Sequence, residues 1–193
     1  MLFNLPNVLT WLRILAIPLL IAVFYLPERW LTGYERNLIS SILFAAAAAT
    51  DWLDGYLARR LNQTSAFGAF LDPVADKLMV AAALIVLLQL GRLDAIVAFI
   101  IIGREIAISA LREWMAKVGR GKSMTVNFLG KIKTASQLVA IPLLLYHAPI
   151  LWFDAFRIGT WLVYLAAALT LASMVYYLKR AAPGAFGRGE GGA

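Results

Sequence analysis

Apolar residues along this chain fall into long runs broken by short polar connectors, and their length predicts helices rather than strands. A helix that crosses a bilayer needs about 20 mainly apolar residues. Six runs meet or approach that length: 7–26, 37–59, 66–90, 95–115, 132–147 and 156–179. The fifth is short and can borrow Gly130 and Lys131 from the connector before it. Pro27, Gly33, Gly91 and Pro149 punctuate the connectors. The first run resembles a secretory leader in length, but no basic stretch precedes it and no small-residue cleavage pattern follows, so it reads as a retained helix. The expected architecture is all-α and integral to a membrane, with a six-helix transmembrane domain over 1–182. The glycine-rich tail over 183–193 has no core-forming residues and is expected to be disordered. The alanine run 45–49 suits either close helix approach or plain helix-forming filler.

Composition agrees with a membrane chain. Hydrophobic residues make up 62% and charged residues only 15%, whereas soluble domains are roughly 45–50% apolar. The absence of cysteine excludes disulfides and thiolate ligands, and the lone histidine, His147, leaves neither a Cys/His zinc site nor a Ser–His–Asp triad. A net charge of +7 points to anionic lipid head groups. It does not point to nucleic acid, because no soluble basic module with interleaved aromatics carries it. One set of connectors holds Arg59, Arg60, Lys117, Arg120, Lys122, Lys179, Arg180 and Arg188. The opposite set holds Arg29, Arg36, Arg92 and Arg157, diluted by Glu28, Glu35, Asp94 and Asp154. The positive-inside bias then puts both termini in the cytosol. The Trp residues fall mostly near span ends, as interfacial belts do. A phosphate-loop reading of 119–123 fails, because Ala116 stands where a glycine is needed and no strand precedes it.

The chemistry concentrates at the cytosolic edge of the second and third runs, where Asp51, Asp54, Asp72 and Asp76 lie within one stretch. Carboxylates at membrane depth are costly unless compensated, and an oxygen-rich cluster suits hard cations such as Mg²⁺ or Mn²⁺. Asp51, Asp54, Gly55, Ala58 and Arg59 stand at offsets 0, 3, 4, 7 and 8, one face of a helix. Gly68, Asp72 and Asp76 stand at offsets 0, 4 and 8, again one face if the third helix starts near Ser65. A start at Asp72 with Pro73 in the first turn is the competing reading. The first is preferred because it aligns all three residues. Small residues at 55, 58 and 68 would let a flat or phosphorylated ligand lie against backbone, and Arg59 offers a fork suited to phosphate. The alternative for the cluster is an ion-pair network with Arg59, Arg60 and Lys77. A divalent-cation transporter would also use intramembrane carboxylates, but it calls for acids deep in several spans rather than at one edge.

The pattern D-x2-D-G-x2-A-R-x8-G-x3-D-x3-D, filled at every fixed position by Asp51, Asp54, Gly55, Ala58, Arg59, Gly68, Asp72 and Asp76, resembles the signature of the CDP-alcohol phosphotransferase family. The resemblance implies six transmembrane helices, a homodimer, and a site for two divalent cations, Mg²⁺ or Mn²⁺, at the cytosolic interface. It implies that Asp51, Asp54 and Asp72 hold one cation and Asp51, Asp72 and Asp76 the other. Asp76 would be the general base, and Asp54, Gly55, Ala58, Arg59 and Gly68 the cytidine-diphosphate cradle. Further likeness in 4–13, 68–77, 103–115 and 130–134 extends to the bacterial branch whose donor is CDP-diacylglycerol and whose acceptor is glycerol 3-phosphate, with CMP released. Other acceptors, of cardiolipin, inositol-phosphate or serine type, share parts of that pattern. A small dianion as acceptor calls for cations, and Arg104, Arg112 and Lys131 are the candidates for its phosphate. Arg104 has Glu105, or an aspartate of the cluster, as the competing partner. Thr10 and Arg13 are candidates for the donor's phosphates. The localisation implied is the bacterial cytoplasmic membrane, with the site facing the cytosol.

Overall fold

The computed structural model describes residues 5–61, 66–117, 128–150 and 152–186, with side chains described over 8–51, 68, 70–117, 130, 132–150, 152–176 and 178. The described residues form six α-helices: α1 (Leu5–Ala22), α2 (Gly33–Leu61), α3 (Ala66–Gln89), α4 (Ala95–Lys117), α5 (Phe128–Tyr146) and α6 (Ala155–Phe186). A turn of 3-10 helix, Val23–Tyr25, extends α1. Each helix covers one of the runs read from the sequence. α3 starts at Ala66 and carries Pro73 in its interior, so the reading that keeps Gly68, Asp72 and Asp76 on one face holds. α5 does borrow Gly130 and Lys131, beginning at Phe128. α6 continues to Phe186, past the expected start of the tail at 183.

The connectors at the end opposite the aspartates are closed by local chemistry. Thr32 and Glu35 form a reciprocal capping box at the start of α2. The Thr32 amide donates to Glu35 Oε2 at 2.8 Å and the Glu35 amide to Thr32 Oγ1 at 3.3 Å. Those bonds hold the Glu35 carboxyl below its ordinary range. α3 ends in a Schellman turn around Gly91, whose φ of 67° suits glycine. The Arg92 amide reaches the Leu87 carbonyl at 2.9 Å and the Gly91 amide the Leu88 carbonyl at 3.0 Å. Asp94 and Asp154 cap α4 and α6, accepting from the amides of Ile96 at 2.7 Å and Arg157 at 3.1 Å. The Arg92 guanidinium then clasps this end, donating to the Leu145 carbonyl at 2.8 Å and to Asn37 Oδ1 at 2.9 Å. A short antiparallel pair, Pro149–Ile150 with Phe153–Asp154, joins α5 to α6. The sequence reading gave this connector no structure.

Large apolar residues fill the interior: Leu20, Phe44, Leu84, Leu87, Ile101, Ile141, Leu144 and Val163 are all but inaccessible. Apolar residues also cover much of the outside, among them Leu15, Phe99, Ile106 and Trp161 on α1, α4 and α6. Arg13, Arg104 and Lys133 are buried. Charge inward and hydrocarbon outward is the distribution expected when lipid, not water, surrounds the bundle. Among the described residues, Val8–Tyr25 and Ala155–Tyr176 are long and apolar enough to cross a membrane, and Ile132–Tyr146 is a shorter apolar helix. Of the alanine run, Ala47 is buried against the core while Ala45, Ala46 and Ala49 are exposed. For most of the run the filler reading therefore applies within this chain.

Helices α5 and α6 pack most extensively, and Gly159 permits their approach. A Cβ there would stand 3.0 Å from Leu144 Cγ and 3.2 Å from the Ala140 carbonyl oxygen. The hydroxyls of Thr160 and Thr170 are spent on their own helix, donating to the carbonyls of Phe156 at 2.8 Å and Ala166 at 2.6 Å. Gly159→Val should lower stability by about 1–3 kcal/mol through overpacking, measured as a drop in the thermal midpoint in detergent. An unchanged midpoint would show that the α5–α6 contact is looser than described.

Candidate active site

The site is assembled where the C-terminal part of α2 meets the N-terminal part of α3, with α1 laid across both. Thr10 and Arg13 stand three apart on α1, both buried. Thr10 Oγ1 donates to Asp72 Oδ1 on α3. Arg13 Nη1 lies 2.9 Å from Asp51 Oδ1 on α2. The two residues expected at the donor's phosphates thus hold two of the aspartates, fixing carboxylates from different helices against one rigid element. Asp76 is half-buried one turn beyond Asp72, and the charges acting on it belong to Asp51, Arg13, Glu105 and Lys77.

Asp76 borders a cavity of about 60 Å³ together with Lys77, Glu105, Thr134 and Gln137, completed by apolar Val80 and Leu138. Behind Glu105 is a buried cation network. Lys133 of α5 donates to Glu105 Oε1. Arg104 Nη1 donates to the same oxygen at 3.3 Å, and Arg104 Nη2 to Ser173 Oγ of α6 at 3.3 Å. Glu105 therefore joins α4 to α5, and Arg104 joins α4 to α6. Arg104 is engaged by Glu105, the partner left open in the sequence, rather than turned toward an aspartate. Arg112 is exposed near the end of α4. Gly68 is buried at the start of α3.

Asp54, Gly55, Ala58 and Arg59 lie on the last turns of α2, and Lys131 in the first turn of α5. Their side chains fall outside the described ones, so the cradle and the third phosphate candidate stay sequence expectations. Connector 118–127, with its phosphate-loop look-alike, is also outside the described residues. Sequence reasoning gave Glu105 only as a competing partner for Arg104, and gave Lys133 and Gln137 no role. The available signal was spacing: Lys133 and Gln137 are four apart on one helix.

The aspartate rim offers only oxygen donors, and this chemistry fits a hard divalent cation. Among the described residues no three such groups stand close enough to share an ion. Asp54, the fourth member, is not among those side chains.

This geometry, a helix-borne carboxylate set with a small polar cavity beside it, coincides with what comparison to known proteins finds. The model of the CDP-alcohol phosphatidyltransferase family matches residues 3–172, and the chain belongs to that family. It is similar to the CDP-diacylglycerol–glycerol-3-phosphate 3-phosphatidyltransferase of Pseudomonas fluorescens, at 50% identity over 93% of this chain and 91% of the relative. The proteins described by the same words from Salmonella choleraesuis and Shigella flexneri serotype 5b are 46% and 45% identical, each over 93% of this chain and 95% of the relative. Membership and the apolar exterior together make it a membrane-bound enzyme.

Proposed function

We propose that this protein transfers the phosphatidyl group of CDP-diacylglycerol to glycerol 3-phosphate, giving phosphatidylglycerophosphate and CMP. The observation that carries the reading is Asp76. It is the last residue of a complete family signature, and it borders a small cavity with polar side chains in its wall.

In this reading Asp76 accepts the proton of the acceptor's primary hydroxyl as that oxygen attacks the β-phosphorus of the donor. The new P–O bond forms while the bond from that phosphorus to the oxygen of CMP breaks, and CMP departs with the bridging oxygen. Asp51, Asp54, Asp72 and Asp76 would hold two divalent cations, Mg²⁺ or Mn²⁺, which when bound spread the charge of the diphosphate. Thr10 and Arg13 keep Asp72 and Asp51 oriented before any ligand arrives, which reduces the reorganisation needed at reaction. Gly55, Ala58, Arg59 and Gly68 cradle the cytidine diphosphate. Arg112 and Lys131, with Arg104 behind them, receive the acceptor's phosphate. An apolar groove of about 140 Å³ lined by Leu12, Ala16, Leu43 and Ala47 runs up to Arg13 and Thr50. It offers an acyl chain a place beside Asp51 while the tails stay in the bilayer.

The same reading places all six helices across a bacterial cytoplasmic membrane, with both termini and the aspartates on the cytosolic side, and pairs two copies as a homodimer. The Lys and Arg distribution supports the orientation. The test is CMP release by purified protein given CDP-diacylglycerol, Mg²⁺ and glycerol 3-phosphate. Turnover should stop with chelator and return with added Mg²⁺ or Mn²⁺. A panel with phosphatidylglycerol, inositol phosphate and serine checks the acceptor. Turnover indifferent to chelator, faster CMP release with another acceptor, or cation flux in liposomes without CMP release would each overturn the reading.

A further inference from the structure

Gln137 is a polar residue of the cavity to which the mechanism above gives no role. The residue is only 5% exposed, and it borders the same cavity as Asp76. Its Nε2 is buried without a hydrogen-bond partner. A buried amide donor left unmade costs about 1–3 kcal/mol, so a position that keeps one beside a catalytic carboxylate is built for a ligand atom.

The other polar groups of the wall are already committed. Thr134 Oγ1 donates to the Gly130 carbonyl at 2.9 Å. Glu105 Oε1 accepts from both Lys133 and Arg104. Lys77 is a charge, suited to an anion. Gln137 is then the neutral donor with a hydrogen to give. A three-carbon polyol phosphate presents three kinds of group to such a cavity. Its phosphate is met best by cations. Its attacking hydroxyl must give a proton and so faces Asp76. Its secondary hydroxyl is neutral and needs a neutral donor.

Resting on the acceptor reading given above, we propose that Gln137 sets acceptor specificity by donating from Nε2 to the secondary hydroxyl of glycerol 3-phosphate, while Asp76 takes the proton of the primary one. Gln137 is a specificity residue in this scheme and takes no part in the chemical step.

The experiment compares glycerol 3-phosphate with 3-hydroxypropyl phosphate, the same acceptor without the secondary hydroxyl, in the wild-type enzyme and in Gln137→Met. Wild type should prefer glycerol 3-phosphate by about 5–150-fold in kcat/KM, the range implied by a buried donor left unpaired. In Gln137→Met the preference should shrink to within about threefold, through loss on glycerol 3-phosphate, with the KM for CDP-diacylglycerol unchanged. Equal use of both acceptors by wild type overturns the proposal without any variant, and so covers the case of a variant that fails to fold. A variant that keeps the full preference also overturns it. Failure of the functional reading looks different: no CMP would be released with either acceptor.

Discussion

Asp76→Asn should reduce CMP release by about 10²–10⁴-fold, the range for losing a positioned general base, and leave the bundle folded. Asparagine matches the shape of aspartate but takes up no proton from the attacking hydroxyl. The carboxylate is also a liability to the fold. It is half-buried on α3, and two of the charges acting on it, those of Asp51 and Glu105, have its own sign. The thermal midpoint in detergent, without added metal, is therefore expected to stay level or rise. Such opposition between stability and turnover is common where function demands an unfavourable group. Retained turnover would remove Asp76 from the chemistry. A collapsed midpoint would make its role structural.

The second large effect is expected at Glu105. This carboxylate faces two buried cations, Lys133 and Arg104, contributed by α5 and α4. Glu105→Gln removes the carboxylate that both are paired with, and breaking a buried pair from one side costs about 3–5 kcal/mol. Exchanging both partners for apolar groups often costs nothing. Glu105→Met with Lys133→Met should therefore recover a large part of the midpoint lost in either single variant, while turnover stays impaired because the cavity wall has changed. Additive losses in this double-mutant cycle would show that the pair does not couple the two helices.

Much of this molecule was legible in the order of its residues. Run length located every helix, because crossing a bilayer imposes a minimum length and a nearly unbroken apolar content. The face holding Gly68, Asp72 and Asp76 was legible too, and Pro73 inside α3 agrees with it. Offsets of three and four fix which residues of one helix stand together. The chain did not reveal which residues of different helices meet. Thr10 and Arg13 looked suited to phosphate because their donors are, yet in the fold those donors reach Asp72 and Asp51. Glu105 read as a local neighbour of Arg104, although it also binds Lys133, 28 positions away. Gln137 was marked only by its spacing of four from Lys133. Its interest arises only once Asp76 of another helix shares its cavity. The hairpin after His147 was hidden for another reason. His147 ends α5 with a φ of 55°, a conformation that non-glycine residues rarely adopt.

The seam between α5 and α6 has a consequence for what the protein senses. Gly159 brings the backbones together, and the neighbouring hydroxyls are spent within their own helix. Close packing is what ties these two helices to each other at that point, so dissolved ions have little there to screen. The α5–α6 contact is therefore expected to hold alike in dilute and in concentrated salt, and to depend on how tightly lipid packs around it.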